Sequence, residues 1–91
     1  MMKRFYLKIT GRVQGVGYRC YTEDVAKRMN VTGWVRNMSD GRVEAEVQGD
    51  MKILEVFLLE LRKGPILSRV NKIIQFEMVT CPKELLFEIR Y

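Results

Sequence analysis

One stretch of this chain has residue types and spacing suited to chemistry on a small anion: Gly11, Arg12, Val13, Gln14, Gly15, Val16, Gly17, Tyr18 and Arg19. Glycine has no Cβ, so a backbone rich in it can turn tightly and bring its N–H groups close to a ligand. The stretch follows a strand-like run and precedes a helix-like one. Such a junction aims both the loop N–H groups and the positive end of the helix at one small volume. Arg19 adds a planar, permanently charged fork suited to phosphate or carboxylate. The simplest reading is a cradle for a small anion.

Known phosphate motifs narrow that reading. The dinucleotide fingerprint G-x-G-x-x-G fails because Cys20 stands at the third glycine, and no Gly-Lys-Ser/Thr follows to make a nucleotide P-loop. A phosphatase of the C-x5-R kind would need a cysteine where Val13 stands. The chain has no histidine, which removes the commonest general base and the commonest metal ligand. Cys20 and Cys81 fit neither a C-x-x-C nor a zinc-ligand spacing, and are expected to be reduced and semi-buried. A second candidate is Asn37, which closes Gly33-Trp34-Val35-Arg36-Asn37. From spacing alone, the ordinary reading of Asn37 as a turn residue is the favoured one.

The elements around these residues follow from periodicity. Phe5, Leu7 and Ile9 alternate with polar partners, as a strand does. After the glycine loop, Tyr21, Val25 and Met29 recur at helical spacing, with Glu23 and Asp24 expected in the first turn. Val31 to Asn37 reads as a second strand, and Asp40-Gly41 as a hairpin turn. Val43, Ala45 and Val47 alternate with Glu44, Glu46 and Gln48 in a third strand that Gly49 is expected to break. Asp50 suits the N-cap of a second helix, with Ile53, Leu54, Phe57, Leu58 and Leu61 as its apolar stripe. Gly64 and Pro65 stop it. Arg69 to Met78 reads as a fourth strand, with Ile74, Phe76 and Met78 alternating, and Leu85, Phe87 and Ile89 mark a short last one. The order β-α-β-β-α-β predicts an α+β, ferredoxin-like sandwich: an antiparallel sheet with two helices on one face, plus a C-terminal strand. In that topology the end of the second strand can lie near the start of the first helix, an arrangement that would put Asn37 beside the loop.

The two stretches together resemble the acylphosphatase family, whose signatures are G-R-V-Q-G-V-x-[FY]-R and G-W-V-x-N. Further similarity lies in Tyr21-Thr22-Glu23-Asp24, the Asp-Gly hairpin, Ser68-Arg69-Val70 and the closing Phe87-Glu88-Ile89-Arg90-Tyr91. The resemblance covers essentially the whole chain, so residues 1–91 are read as a single domain of that kind. It implies hydrolysis of acyl phosphates, with Arg19 and Asn37 catalytic and the cradle formed by Gln14, Gly15, Val16, Gly17 and Tyr18. The family often has Ser or Thr after the asparagine, where this chain has Met38. No cofactor or metal is implied.

That reaction suits a site without histidine. The departing carboxylic acid has a pKa of about 4 and leaves as an anion without help, whereas an alkoxide leaving group needs a proton donor. The net charge of +5 would attract anions, although it also serves solubility in a small domain. A nucleic-acid-binding module is one rival reading. It is disfavoured because Arg42 to Gln48 offers Glu44 and Glu46 and no aromatic residue. Another is a non-catalytic anion- or carbamoyl-phosphate-binding unit, since such domains also open larger carbamoyltransferases. The chain's own start and its end at Tyr91 favour a free-standing enzyme. A small-molecule substrate, no nucleic acid, no membrane, a monomeric state and a cytoplasmic location are expected.

Overall fold

The structure is a computed structural model that describes all 91 residues, Met1–Tyr91. Its elements are β1 (Met2–Arg12), α1 (Tyr18–Arg28), β2 (Thr32–Asn37), β3 (Val43–Asp50), α2 (Met51–Lys63), β4 (Arg69–Met78) and β5 (Phe87–Ile89). The strands form one sheet in the order β4-β1-β3-β2-β5. β1 pairs antiparallel with β3 and β4, and β2 pairs antiparallel with β3. β5 is the exception, running parallel to β2. The expected ferredoxin-like sandwich is therefore present, and its last strand makes the sheet mixed rather than wholly antiparallel.

The alternation in β1 and β3 sorts the two faces of the sheet. Phe5, Leu7 and Ile9 of β1 and Val43, Ala45 and Val47 of β3 are buried in one core with Leu54, Phe57, Leu58 and Leu61 of α2. Tyr18, Val25 and Ala26 of α1 join them. Each fully buried Val, Leu, Ile or Phe side chain among them contributes about 1.5–3 kcal/mol. The opposite face carries no helix. There Arg4 donates to Glu46, Gln48 and Glu84, while Glu44 accepts from Tyr6 and Arg36.

Several local expectations change. α1 begins at Tyr18, three residues before the apolar period becomes obvious, so its first turn holds no acidic residue. Glu23 and Asp24 instead pair with Lys27 and Arg28 one turn on. β3 runs through Gly49, which pairs with Lys3. Ile53 lies on the exposed side of α2. In β4 the alternating Ile74, Phe76 and Met78 point to the uncovered face, opposite Lys8, Tyr6 and Arg4, and it is Val70 and Ile73 that pack on the core. A register shift between Thr10 and Gly11 inserts one extra β4 residue, which lets Val70 and Ile73 share a side. Cys20 and Cys81 are both free and exposed, not semi-buried.

Candidate active site

The loop between β1 and α1 owes its path to two left-handed glycines, Gly15 at φ 73° and Gly17 at φ 80°. A Cβ at either would meet nothing within 4 Å. Glycine is needed there for the backbone conformation, not for space. Gly17 is also the N-cap of α1, and no side chain caps that helix end. The first N–H groups of α1 thus lack both a capping oxygen and a nearby carboxylate. That combination leaves a partial positive charge available to a ligand.

Three anchors hold the loop. The Gln14 amide donates from Nε2 to the carbonyls of Met38 and Arg42, both at 2.8 Å, tying the loop to the turn between β2 and β3. Val16 packs against the core. Tyr18 is buried, and its hydroxyl donates to the Leu61 carbonyl of α2 at 2.8 Å. Burial pushes the Tyr18 phenol well above its ordinary pKa, so it stays a neutral donor.

A cavity of about 110 Å³ opens where the loop, α1, β2 and the chain end meet, and it is lined by Gly15, Gly17, Tyr18, Arg19 and Asn37, with Val13, Cys20, Ile89 and Tyr91. Three of the five cradle positions, Gly15, Gly17 and Tyr18, and both polar candidates, Arg19 and Asn37, therefore meet in one place. Gln14 and Val16 do not line the cavity and serve as the anchors described above. No Asp or Glu side chain lines it, and no cluster of three His, Cys, Asp or Glu residues stands together elsewhere in the structure.

Arg19 forms no ion pair. Its Cζ instead sits 4.9 Å from the centre of the Tyr91 ring. A ring face attracts the cation but accepts no conventional hydrogen bond, so the guanidinium N–H donors stay available. Asn37, the last residue of β2, has its Oδ1 buried with no hydrogen-bond partner. A buried amide oxygen left without a donor is costly, which makes this atom an acceptor waiting for an O–H or N–H.

Ile89 and Tyr91 are site residues that periodicity missed. β5 lies beside β2 with Ile89 opposite Val35, and the Arg90 N–H continues the ladder to the Val35 carbonyl at 2.8 Å. This parallel pairing carries Tyr91 toward Asn37 and Arg19. No pattern in a three-residue strand announces which neighbour it will choose.

Comparison with known proteins agrees with this architecture. The acylphosphatase family model matches residues 5–89. A curated acylphosphatase of Clostridium acetobutylicum is 41% identical over 91 residues, the full length of both chains. The crystal structure of acylphosphatase from Bacillus subtilis superposes with a TM-score of 0.93 at 33% identity, each chain covered completely. Full-length HypF matches too, with a TM-score of 0.85 at 29% identity, but there the similarity spans 12% of that chain. Together with the fold, these similarities over the whole length show that the chain belongs to the acylphosphatase family and is an acyl-phosphate-hydrolysing enzyme.

Proposed function

We propose that hydrolysis proceeds by direct attack of a water held by Asn37 on a phosphoryl group held by the loop and Arg19. One observation carries this reading: an uncapped helix end, a guanidinium without an ion-pair partner and Asn37, whose buried amide oxygen has no partner, meet at the same small cavity. The N–H groups of the loop and α1, with the Arg19 fork, bind the phosphoryl oxygens and stabilise charge as the P–O bond breaks. Asn37 Oδ1 accepts a hydrogen bond from the water and aligns it for in-line attack. An amide takes no proton near neutrality. The water oxygen therefore bonds to phosphorus, the acyl carboxylate leaves with the P–O electron pair, and the water proton passes to a phosphoryl oxygen of the substrate. The products are a carboxylate and inorganic phosphate.

The test is hydrolysis of benzoyl phosphate followed by absorbance, with and without chelator. p-Nitrophenyl phosphate serves as the control whose leaving group is a poorer one. Turnover that resists chelator and is far slower on the ester is the expected result. Arg19→Ala should lose about 10³-fold in kcat/KM, with phosphate no longer protecting the protein against heat. Asn37→Ala should lose about 10²-fold in kcat while phosphate still protects. If Asn37→Ala abolished phosphate protection instead, the water-holding role would be wrong. Absent turnover with phosphate protection intact would leave a binding unit in place of an enzyme site.

A further inference from the structure

We propose that the uncovered face of the sheet, along β1 and β4, binds single-stranded nucleic acid, a function separate from the phosphate cavity. The pairing register lines up the side chains that would do it. On this face Tyr6 stands opposite Phe76, Lys8 opposite Ile74, Thr10 opposite Lys72, and Arg12 opposite Arg69. The track from Phe76 to Arg69 is about 20 Å long at the usual rise per strand residue.

Lys8, Arg12, Arg69 and Lys72 form no ion pair. Arg12, Arg69 and Lys72 are exposed. Like charges directly across a ladder repel, as the Arg12 and Arg69 pair must. A bound phosphate backbone would turn that repulsion into binding energy. The carboxylates that argued against such a partner are already occupied. Glu46 pairs with Arg4, and Glu44 accepts from both Tyr6 and Arg36. Lys8 lies near enough to favour the charged form of Glu44, yet forms no ion pair with it. Arg12, Arg69 and Lys72 are thus left without a matching acid, and Lys8 shares Glu44 with Arg36.

Stacking surface lies at one end of the same track. The Tyr6 and Phe76 rings sit 6.5 Å apart, tilted by 31°, and Phe76 is 55% exposed. These aromatics come from β1 and β4, whereas the third strand is the one that looked empty in the sequence. A row of cations ending in an open ring suits a strand of phosphates with unstacked bases better than it suits a bare polyanion.

The experiment is fluorescence anisotropy of a labelled single-stranded oligonucleotide of about twelve nucleotides. Binding is expected at low salt, with log K falling against log salt at a slope of about −3 for four phosphate contacts. The double variant Arg69→Glu/Lys72→Glu should weaken binding at least tenfold and flatten the slope by about 1.4. Phe76→Ala should weaken binding about fivefold or more with the slope unchanged. Both variants should hydrolyse benzoyl phosphate normally, which also verifies that they fold. Arg19→Ala should bind the oligonucleotide as the unaltered chain does. No binding at low salt overturns the proposal, and so does binding indifferent to either variant or lost in Arg19→Ala. Equal affinity for heparin with no effect of Phe76→Ala would reassign the patch to any polyanion. Capture by anionic vesicles but not by oligonucleotide would reassign it to a lipid surface.

Discussion

The two helix N-termini of this protein are built in opposite ways. α2 is capped by its own chain: Asp50 accepts from the Lys52 N–H at 3.0 Å, and its other carboxylate oxygen pairs with the terminal amino group at 3.1 Å. α1 is preceded by Gly17, which offers no side chain, and its first turn has no acid. At α2 the dipole is neutralised internally and the helix end does only structural work. At α1 the same physical feature is left open beside Arg19, in a cavity that a ligand can enter. In the proposed mechanism the incomplete cap marks the functional helix, because the phosphoryl group of the substrate completes it.

The sharpest way to break this contrast is to place a fixed carboxylate at the open end of α1. Gly17→Asp should lower kcat/KM by about 10²-fold or more, because a fixed carboxylate then repels the phosphoryl group from its cradle. Aspartate tolerates the left-handed backbone better than most residues, so melting without phosphate should shift by only a few degrees. A variant that hydrolysed benzoyl phosphate at the original rate would show that the α1 terminus does not hold the substrate.

A smaller effect separates charge from geometry. Arg19→Lys keeps the positive charge but replaces a bidentate fork with a point charge. It should recover part of the activity lost in Arg19→Ala, leaving a deficit of about tenfold. Full recovery would mean that net charge alone matters in the cavity.

Inorganic phosphate should act on α1 alone. At a hundred times its dissociation constant it should add about 2.7 kcal/mol to folding stability, as any ligand of the native state does. Differential scanning fluorimetry should show the upward shift in the unaltered protein and in Asp50→Asn, and its absence in Arg19→Ala. Loss of protection in Asp50→Asn would mean that the two helix ends are coupled.

The smallest effect belongs to the structural cap. The hydrogen bond from the terminal amino group, together with the Lys52 N–H, holds the Asp50 carboxyl below its ordinary pKa. A depressed native pKa gives stability that is present above the unfolded value and lost as pH falls through the native one. Melting temperature measured from pH 6 down to pH 2 should therefore fall less steeply in Asp50→Asn than in the unaltered chain. Its kcat/KM at neutral pH should not change.

Much of this contrast was legible in the chain itself, because it rests on local chemistry. A carboxylate followed by an amphipathic run marks a cap, as at Asp50. Glycines between a strand and a helix mark an anion loop, as at Gly15 and Gly17. Alternation located β1 and β3 and their buried faces. Where the inference failed, the deciding contact was distant in sequence. The start of α1 moved to Tyr18 because that side chain is buried against α2 and held by the Leu61 carbonyl, which no local period reveals. The alternation of Ile74, Phe76 and Met78 marks a strand, as observed. Which side of the sheet they occupy depended on register against β1 and on one extra residue near Gly11.

The sequence by itself thus determined the order of elements, the glycine loop and the candidates Arg19 and, through the family resemblance, Asn37, because each is specified by residues a few positions apart. Tertiary structure alone decided what those residues face. It brought Asn37 to the loop through the strand order, set Tyr91 against Arg19 through a parallel pairing, and left Arg12, Arg69 and Lys72 unmatched on the uncovered face. The physical reason is that side-chain period and capping are local properties, whereas strand neighbours and register are settled by how the whole core closes.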